Sequence, residues 1–169
     1  RCRDERIENP GLALGAFMAS AAQEARDKLT VHLPPALAPL GAWIEQLVAE
    51  STGKQDSGLL PVTDEPPLDP SSYGRDRAFV LVAADGGEQA ALAARAAALE
   101  RAGHPVLVLE AGADARALGA EFFRWEFATA VAGAALGLNP FDEPDVREAK
   151  DRARAALAAL ARDGALPSP

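Results

Sequence analysis

Two continuous apolar runs predict strands that are buried on both faces of a sheet. Residues 78–84 read AFVLVAA and residues 105–110 read PVLVLE, without the alternation of a half-exposed strand. An alanine-rich segment of helical character, from about residue 88 to residue 102, separates them. A strand, a helix and a strand at this spacing form a βαβ unit with a right-handed crossover, so the sequence predicts an α/β fold.

Proline and capping residues mark the remaining elements. Asn9 and Pro10 predict the start of a helix that runs to about residue 25, and residues 28–33 (KLTVHL) predict a strand that ends at two prolines. The other predicted elements are a helix around residues 43–50, a strand at 58–62, a surface loop at 64–74, a helix at 115–136, and a last helix capped by Asp142 and ending near residue 162. We therefore expect one domain, a three-layer αβα sandwich of flavodoxin type. Its mainly parallel sheet contains residues 28–33, 78–84 and 105–110.

The helix around residues 43–54 (WIEQLVAESTGK) carries the first candidate chemistry. Its apolar stripe leaves Gln46 and Glu50 four residues apart, which stacks them on one face. Gly53 is expected to take a left-handed cap and to turn Lys54 back. Glu50 is then either a solvated charge in the last helical turn or a carboxylate placed to meet a ligand.

Composition excludes several kinds of function. The formal net charge of −8 and the absence of a basic cluster argue against a nucleic-acid partner. Cys2 is the single cysteine, so neither a disulfide framework nor Cys/His metal spacing is present, and we expect no metal and no cofactor. The apolar run at residues 11–22 is too short to span a bilayer. We expect a cytoplasmic protein without a membrane partner, and because the chain begins with Arg1 we interpret it as a fragment of a longer one.

Other polar and aromatic features have structural interpretations. Asp85, Gly86 and Gly87 form either a phosphate cradle or a plain loop leading into a helix, and no nucleotide fingerprint accompanies them. His32, in a strand, and His104, before one, are interpreted as structural residues. The aromatic residues of the 115–136 helix (Phe122, Phe123, Trp125 and Phe127) are interpreted as core.

Three segments resemble one enzyme family. Glu50-Ser51-x-Gly53-Lys54, preceded four residues earlier by Gln46, resembles the catalytic helix of phosphoglucose isomerases. About ninety residues further on, residues 139–150 (NPFDEPDVREAK) resemble the second signature of that family, which closes on a lysine. Residues 118–133 (LGAEFFRWEFATAVAG) also resemble the family. The likeness covers nearly the whole chain and is strongest to the isomerase half of bifunctional transaldolase/phosphoglucose isomerases.

The resemblance implies a fold and a reaction. These isomerases contain two sugar-isomerase (SIS) domains, and this chain corresponds to the second. Glu50 would be the base that moves a proton from C2 to C1 of glucose 6-phosphate through an enediolate, giving fructose 6-phosphate. Lys150 would contact the sugar and assist ring opening. The substrate-binding positions implied are Gln46, Ser51, Gly53, Lys54 and Glu143.

The chain departs from the family pattern in three ways. Glu143 stands where the family has glutamine, the ring-opening histidine of the family has no counterpart, and the phosphate loop of the first SIS domain is not in this sequence. The expected partners are a sugar phosphate and the missing N-terminal SIS and transaldolase regions of a longer chain, with a homodimer as an open option. The alternative is a sugar-phosphate-binding SIS module without catalysis.

Overall fold

The computed structural model describes residues 9–54, 57–84, 89–112, 114–142 and 144–166. It contains four strands, β1 (Lys28–His32), β2 (Leu60–Val62), β3 (Arg77–Ala84) and β4 (Val106–Ala111). The helices are α1 (Pro10–Gln23), α2 (Leu40–Thr52), α3 (Gln89–Arg101), α4 (Ala115–Leu136) and α5 (Pro144–Asp163). The predicted α/β class is confirmed, and the strand and helix limits lie close to those expected from the sequence.

All strand pairs of the described sheet are parallel, in the order β2-β1-β3-β4. Val31 of β1 lies beside Val80 of β3, and Leu29 lies between Pro61 of β2 and Ala78 of β3. The order reverses between β1 and β3, as it does in flavodoxin-like folds. The three predicted strands 28–33, 78–84 and 105–110 are therefore neighbours in one parallel sheet.

Two hydrophobic cores cover the two faces of the sheet and make three layers. On one face α1, α2 and α4 pack on Leu29, Val31 and Val80. On the other face α3 and Tyr73 pack on Phe79 and Leu81. The β2–β3 connection reaches Tyr73 through a short 3-10 turn at Pro70–Ser72 in place of a helix.

The aromatic cluster of α4 is only partly core. Trp125 is fully buried, whereas Phe123 is 43 % exposed. Phe123 and Phe127, four residues apart, share the opposite side of the helix from Trp125 and stack on each other with ring centroids 6.2 Å apart. The prediction that all four rings are core is wrong for Phe123, because so many rings in one and a half turns cannot share one face.

The predicted left-handed cap at Gly53 is also wrong. Gly53 has φ −73° and ψ 77°, and its N–H donates to the carbonyl of Ala49, so the helix ends without a positive φ. For Asp142, predicted as the cap of the last helix, the carboxylate accepts a hydrogen bond from Lys54. Glu143, the residue before Pro144, lies outside the described residues, and so does the loop at Asp85–Gly87.

Candidate functional site

The helix α2 presents Gln46 and Glu50 together, as the spacing predicts. Ile44 and Val48 are fully buried and fix the rotation of the helix, which leaves Gln46 and Glu50 exposed on another side. Gln46 Nε2 donates to Glu50 Oε1 over 3.3 Å. The ring of Trp43 meets Phe122 of α4 edge-on, with centroids 4.5 Å apart, and this contact attaches α2 to α4.

Both sequence motifs lie toward the amino edge of the sheet. The helix α2 joins two parallel strands, so it must run from the carboxyl end of β1 back to the amino end of β2. The helix α4 follows the carboxyl end of β4 and packs beside α1 and α2 on the same face. The chain segments after α2 and α4 therefore come together at the amino edge, opposite the edge at which open α/β sheets usually bind ligands.

Lys54 connects the two motifs. Its ammonium is buried and donates to the backbone carbonyls of Asn139 and Asp142, and it lies 2.7 Å from Asp142 Oδ1. These partners are 85 and 88 residues away along the chain. An ammonium group has three N–H donors, so these three acceptors use its whole capacity.

Pro140 locks the same segment against α4. A Cβ atom on Gly133 would lie 2.9 Å from the ring of Pro140, which is closer than real side chains approach. Asn139 Oδ1 accepts a hydrogen bond from the N–H of Phe141 and closes the turn. Gly133 therefore gives the packing space that lets residues 139–142 reach Lys54.

The remaining predicted site residues occupy different surroundings. Ser51 is half-buried and Gly53 is exposed at the end of α2. Lys150 is exposed on α5, within two turns of Pro144, and no ion pair joins it to Glu50 in the described part of the chain. Glu143 lies outside the described residues.

A cavity of about 680 Å³ opens beside this region. It is formed where α1, α2 and α4 end and where β1 and β2 begin. Its walls include Ala22, Gln23, Ala25, Asp27, Ala49, Gly53, Ser57, Gly58, Leu59, Leu60 and Leu136. Ala49 and Gly53 belong to α2 and its end, so the cavity adjoins the Glu50 region.

A search of solved structures finds the same fold in the crystal structure of the hypothetical protein TT0462 from Thermus thermophilus. The two share 22 % sequence identity with a TM-score of 0.72 over 89 % of this chain. This chain spans 46 % of the length of that protein. No protein-family profile and no curated protein matches the sequence. At this identity the likeness establishes the three-layer fold alone.

The electrostatics of the amino edge favour cations. The helices α1, α2, α3 and α4 all end there, and each helix C-terminus carries partial negative charge on its last carbonyls. Lys54 supplies one positive charge close to these ends. A phosphate at the same place would need further positive charge, which the side chain of Lys54 cannot offer while its donors are occupied.

Sequence reasoning missed Asp142 and Pro140 as elements of this region. Asp142 precedes a helix and so reads as a cap, and no local signal connects it to a lysine 88 residues away. Among the described residues no group of three His, Cys, Asp or Glu side chains is placed to hold a metal ion. None of the described helices is both long and apolar enough to cross a membrane.

Proposed function

We propose that this chain is the isomerase domain of a phosphoglucose isomerase, within a longer cytoplasmic protein that also carries a transaldolase. The observation that supports this most is the contact of Lys54 with Asn139 and Asp142. The two motifs that resemble the isomerase signatures lie far apart in sequence, and this lysine belongs to the first and binds the second. If the resemblance were accidental, nothing in it would require the two segments to be in contact.

In this proposal Glu50 is the base. The carboxylate form of this side chain can accept the C2 proton of glucose 6-phosphate, whereas the carboxylic acid cannot. The same carboxyl then returns the proton to C1 of the enediolate, which gives fructose 6-phosphate with no net change in protonation. Gln46 holds the carboxylate through its 3.3 Å hydrogen bond, and Lys54 positions the segment that leads to Lys150.

Gln46 and Glu50 are exposed in the described structure, and in this proposal another part of the longer protein covers them. Proton transfer through an enediolate is favoured where water is excluded. We propose that the missing N-terminal SIS region supplies this cover together with the phosphate loop. The described fragment alone should therefore be a poor isomerase.

The test is a coupled assay of the longest natural chain that contains this domain, comparing wild type with Glu50→Gln. The amide keeps the shape and the contact with Gln46 but cannot act as a base, so turnover should fall by roughly 10²–10⁴-fold with little change in substrate binding. Glu100→Gln, an exposed glutamate on α3, is the matched control and should leave turnover unchanged. Unchanged turnover in Glu50→Gln would remove Glu50 from the mechanism.

A second candidate is a sugar-phosphate-binding SIS module without catalysis. The occupied donors of Lys54 and the absence of an ion pair between the described Glu50 and Lys150 favour it. Such a module would bind the sugar phosphate without isomerising it. The Glu50→Gln substitution would then alter the affinity for the sugar phosphate or have no effect on it. This candidate is excluded if the wild-type longer chain shows isomerase activity and the Glu50→Gln substitution abolishes that activity.

A further inference from the structure

A second polar cluster lies at the other end of the sheet and plays no part in the proposed isomerase chemistry. The strand β1 turns Leu29 and Val31 toward the larger core and Thr30 and His32 toward the α3 face. His32 is the last residue of β1, and its ring meets Phe79 edge-on with centroids 6.4 Å apart. This position is the carboxyl end of β1, where the strand order reverses.

Three nitrogen atoms around Tyr73 and Phe79 have no hydrogen-bond partner among the described residues: His32 Nε2, Arg95 Nε and His104 Nδ1. His32 Nε2 and Arg95 Nε are both shielded from solvent, and neither contacts an acceptor in the described structure. The rest of the Arg95 guanidinium is engaged, because Nη2 donates to Tyr73 Oη over 3.2 Å and the group lies 5.8 Å from the centre of the Tyr73 ring. Arg95 Nε can only donate and a histidine ring nitrogen can donate or accept, so an added acceptor would satisfy Arg95 Nε and a protonated His32 Nε2 together.

The charges around the cluster specify that acceptor as an anion. Arg77, the other guanidinium on Tyr73, is neutralised by a bidentate pair with Glu65 at 3.0 and 3.1 Å. Arg95 forms no close ion pair among the described residues, and its nearest carboxylate influence is the exposed Asp69, whose pKa it helps to lower. Its Nε can only donate.

We propose that His32 and Arg95 bind a small divalent oxyanion, such as sulfate or the phosphate group of a phosphate ester, at the carboxyl end of β1. Arg95 Nε and protonated His32 Nε2 donate to its oxygens. The site is separate from the Glu50 region because it lies on the face of the sheet that α3 covers, whereas α2 packs on the opposite face. It therefore does not depend on the isomerase proposal.

The ionisation of His32 offers a direct readout. Burial lowers the pKa of His32, the positive charge of Arg95 lowers it further, and Glu65 opposes both effects. These are the charged groups that act on the ring from α3 and from the β2–β3 connection. An anion beside the ring would favour the imidazolium and raise this pKa.

The experiment is an NMR titration of the two histidine rings between pH 5 and pH 8, in chloride and in sulfate at one ionic strength of about 0.15 M. Sulfate stays doubly charged over this range, so any pH dependence belongs to the protein. His32 and His104 are the only histidines of the chain. His104 precedes β4, its Nε2 lies 3.2 Å from the carbonyl of Pro70, and its ring meets Phe79 at 5.3 Å, so it serves as a nearby comparison within the same aromatic cluster.

We expect sulfate to raise the pKa of His32 by about one unit and to leave that of His104 unchanged. Arg95→Gln should abolish the response, whereas Arg101→Gln, an exposed arginine on the same helix, should keep it. If sulfate leaves the His32 pKa of the wild type unchanged, water fills the site and the proposal is overturned. An equal rise in the pKa of both histidines overturns it as well. The wild-type titration decides the matter even if Arg95→Gln does not fold.

Discussion

The ammonium of Lys54 lies 2.7 Å from the carboxylate of Asp142, and this contact joins segments that are 88 residues apart. Lys54 is 6 % exposed, so the contact is shielded from water on the lysine side, whereas the Asp142 side chain is 44 % exposed. Because a hydrogen bond to a charged group contributes more than a neutral one, the contact should stabilise the position of residues 139–142.

Replacing Lys54 with methionine should reduce the free energy of unfolding by about 2 kcal/mol, because three acceptors lose a charged donor. Amide hydrogen exchange should accelerate selectively in residues 139–142. Urea unfolding and exchange mass spectrometry measure the two effects. Lys150→Met is the control, since that lysine is exposed. Equal destabilisation by the two substitutions would contradict the anchoring role of Lys54.

Replacing two glycines of α4 with alanine should change the stability of the protein in opposite directions. A Cβ atom on Gly133 meets Pro140 at 2.9 Å, whereas a Cβ atom on Gly119 has nothing within 4 Å. Gly119→Ala should stabilise the protein by about 0.5–1 kcal/mol through helix propensity. Gly133→Ala should destabilise it by about 1–3 kcal/mol because the segment must move. Thermal unfolding of both variants measures this, and stabilisation by Gly133→Ala would show that residues 139–142 are free to shift.

Glu121 makes native stability depend on pH. Its side chain is 3 % exposed, one oxygen lies 3.1 Å from Arg124 Nη1, and the other has no hydrogen-bond partner. Burial raises the pKa of Glu121, and the charge of Arg124 offsets this in part. The folded protein therefore holds this proton to higher pH than the unfolded chain. Its contribution to stability is complete below the unfolded pKa and is lost as pH rises through the folded pKa.

We expect Glu121→Gln to remove this part of the pH dependence, because an amide does not ionise. Urea unfolding of wild type and of Glu121→Gln at pH 4.5, 6 and 8 measures it. As pH rises, the free energy of unfolding of the wild type should fall relative to that of Glu121→Gln. Glu126→Gln, an exposed position on the same helix, should follow the wild-type curve. Parallel curves for wild type and Glu121→Gln would mean that the pKa of Glu121 is the same in the folded and unfolded states.

Local patterns in the sequence determined the elements and the class of fold. The apolar run at β3 predicted a strand covered on both faces, and β3 is buried along nearly its whole length. The same prediction is wrong for β4, because β4 lies at the edge of the described sheet and Val108 is 46 % exposed. Asn9 caps α1 through hydrogen bonds from the N–H groups of Gly11 and Leu12, as its residue type predicted. The stacking of Gln46 on Glu50 likewise follows from helical periodicity alone.

The tertiary structure decided what these elements bring together. The hydrogen-bond partners of Lys54 could not be predicted from the sequence. A lysine that follows a helix is as well satisfied by solvent as by a carbonyl 85 residues away, and nothing local distinguishes the two. The exposure of Phe123 depends on which face of α4 meets α1 and α2. The orphan nitrogens of His32 and Arg95 lie in one cluster because His32 is on the face of the sheet that α3 covers. Each of these features depends on distances between elements, and periodicity along a chain carries no information about such distances.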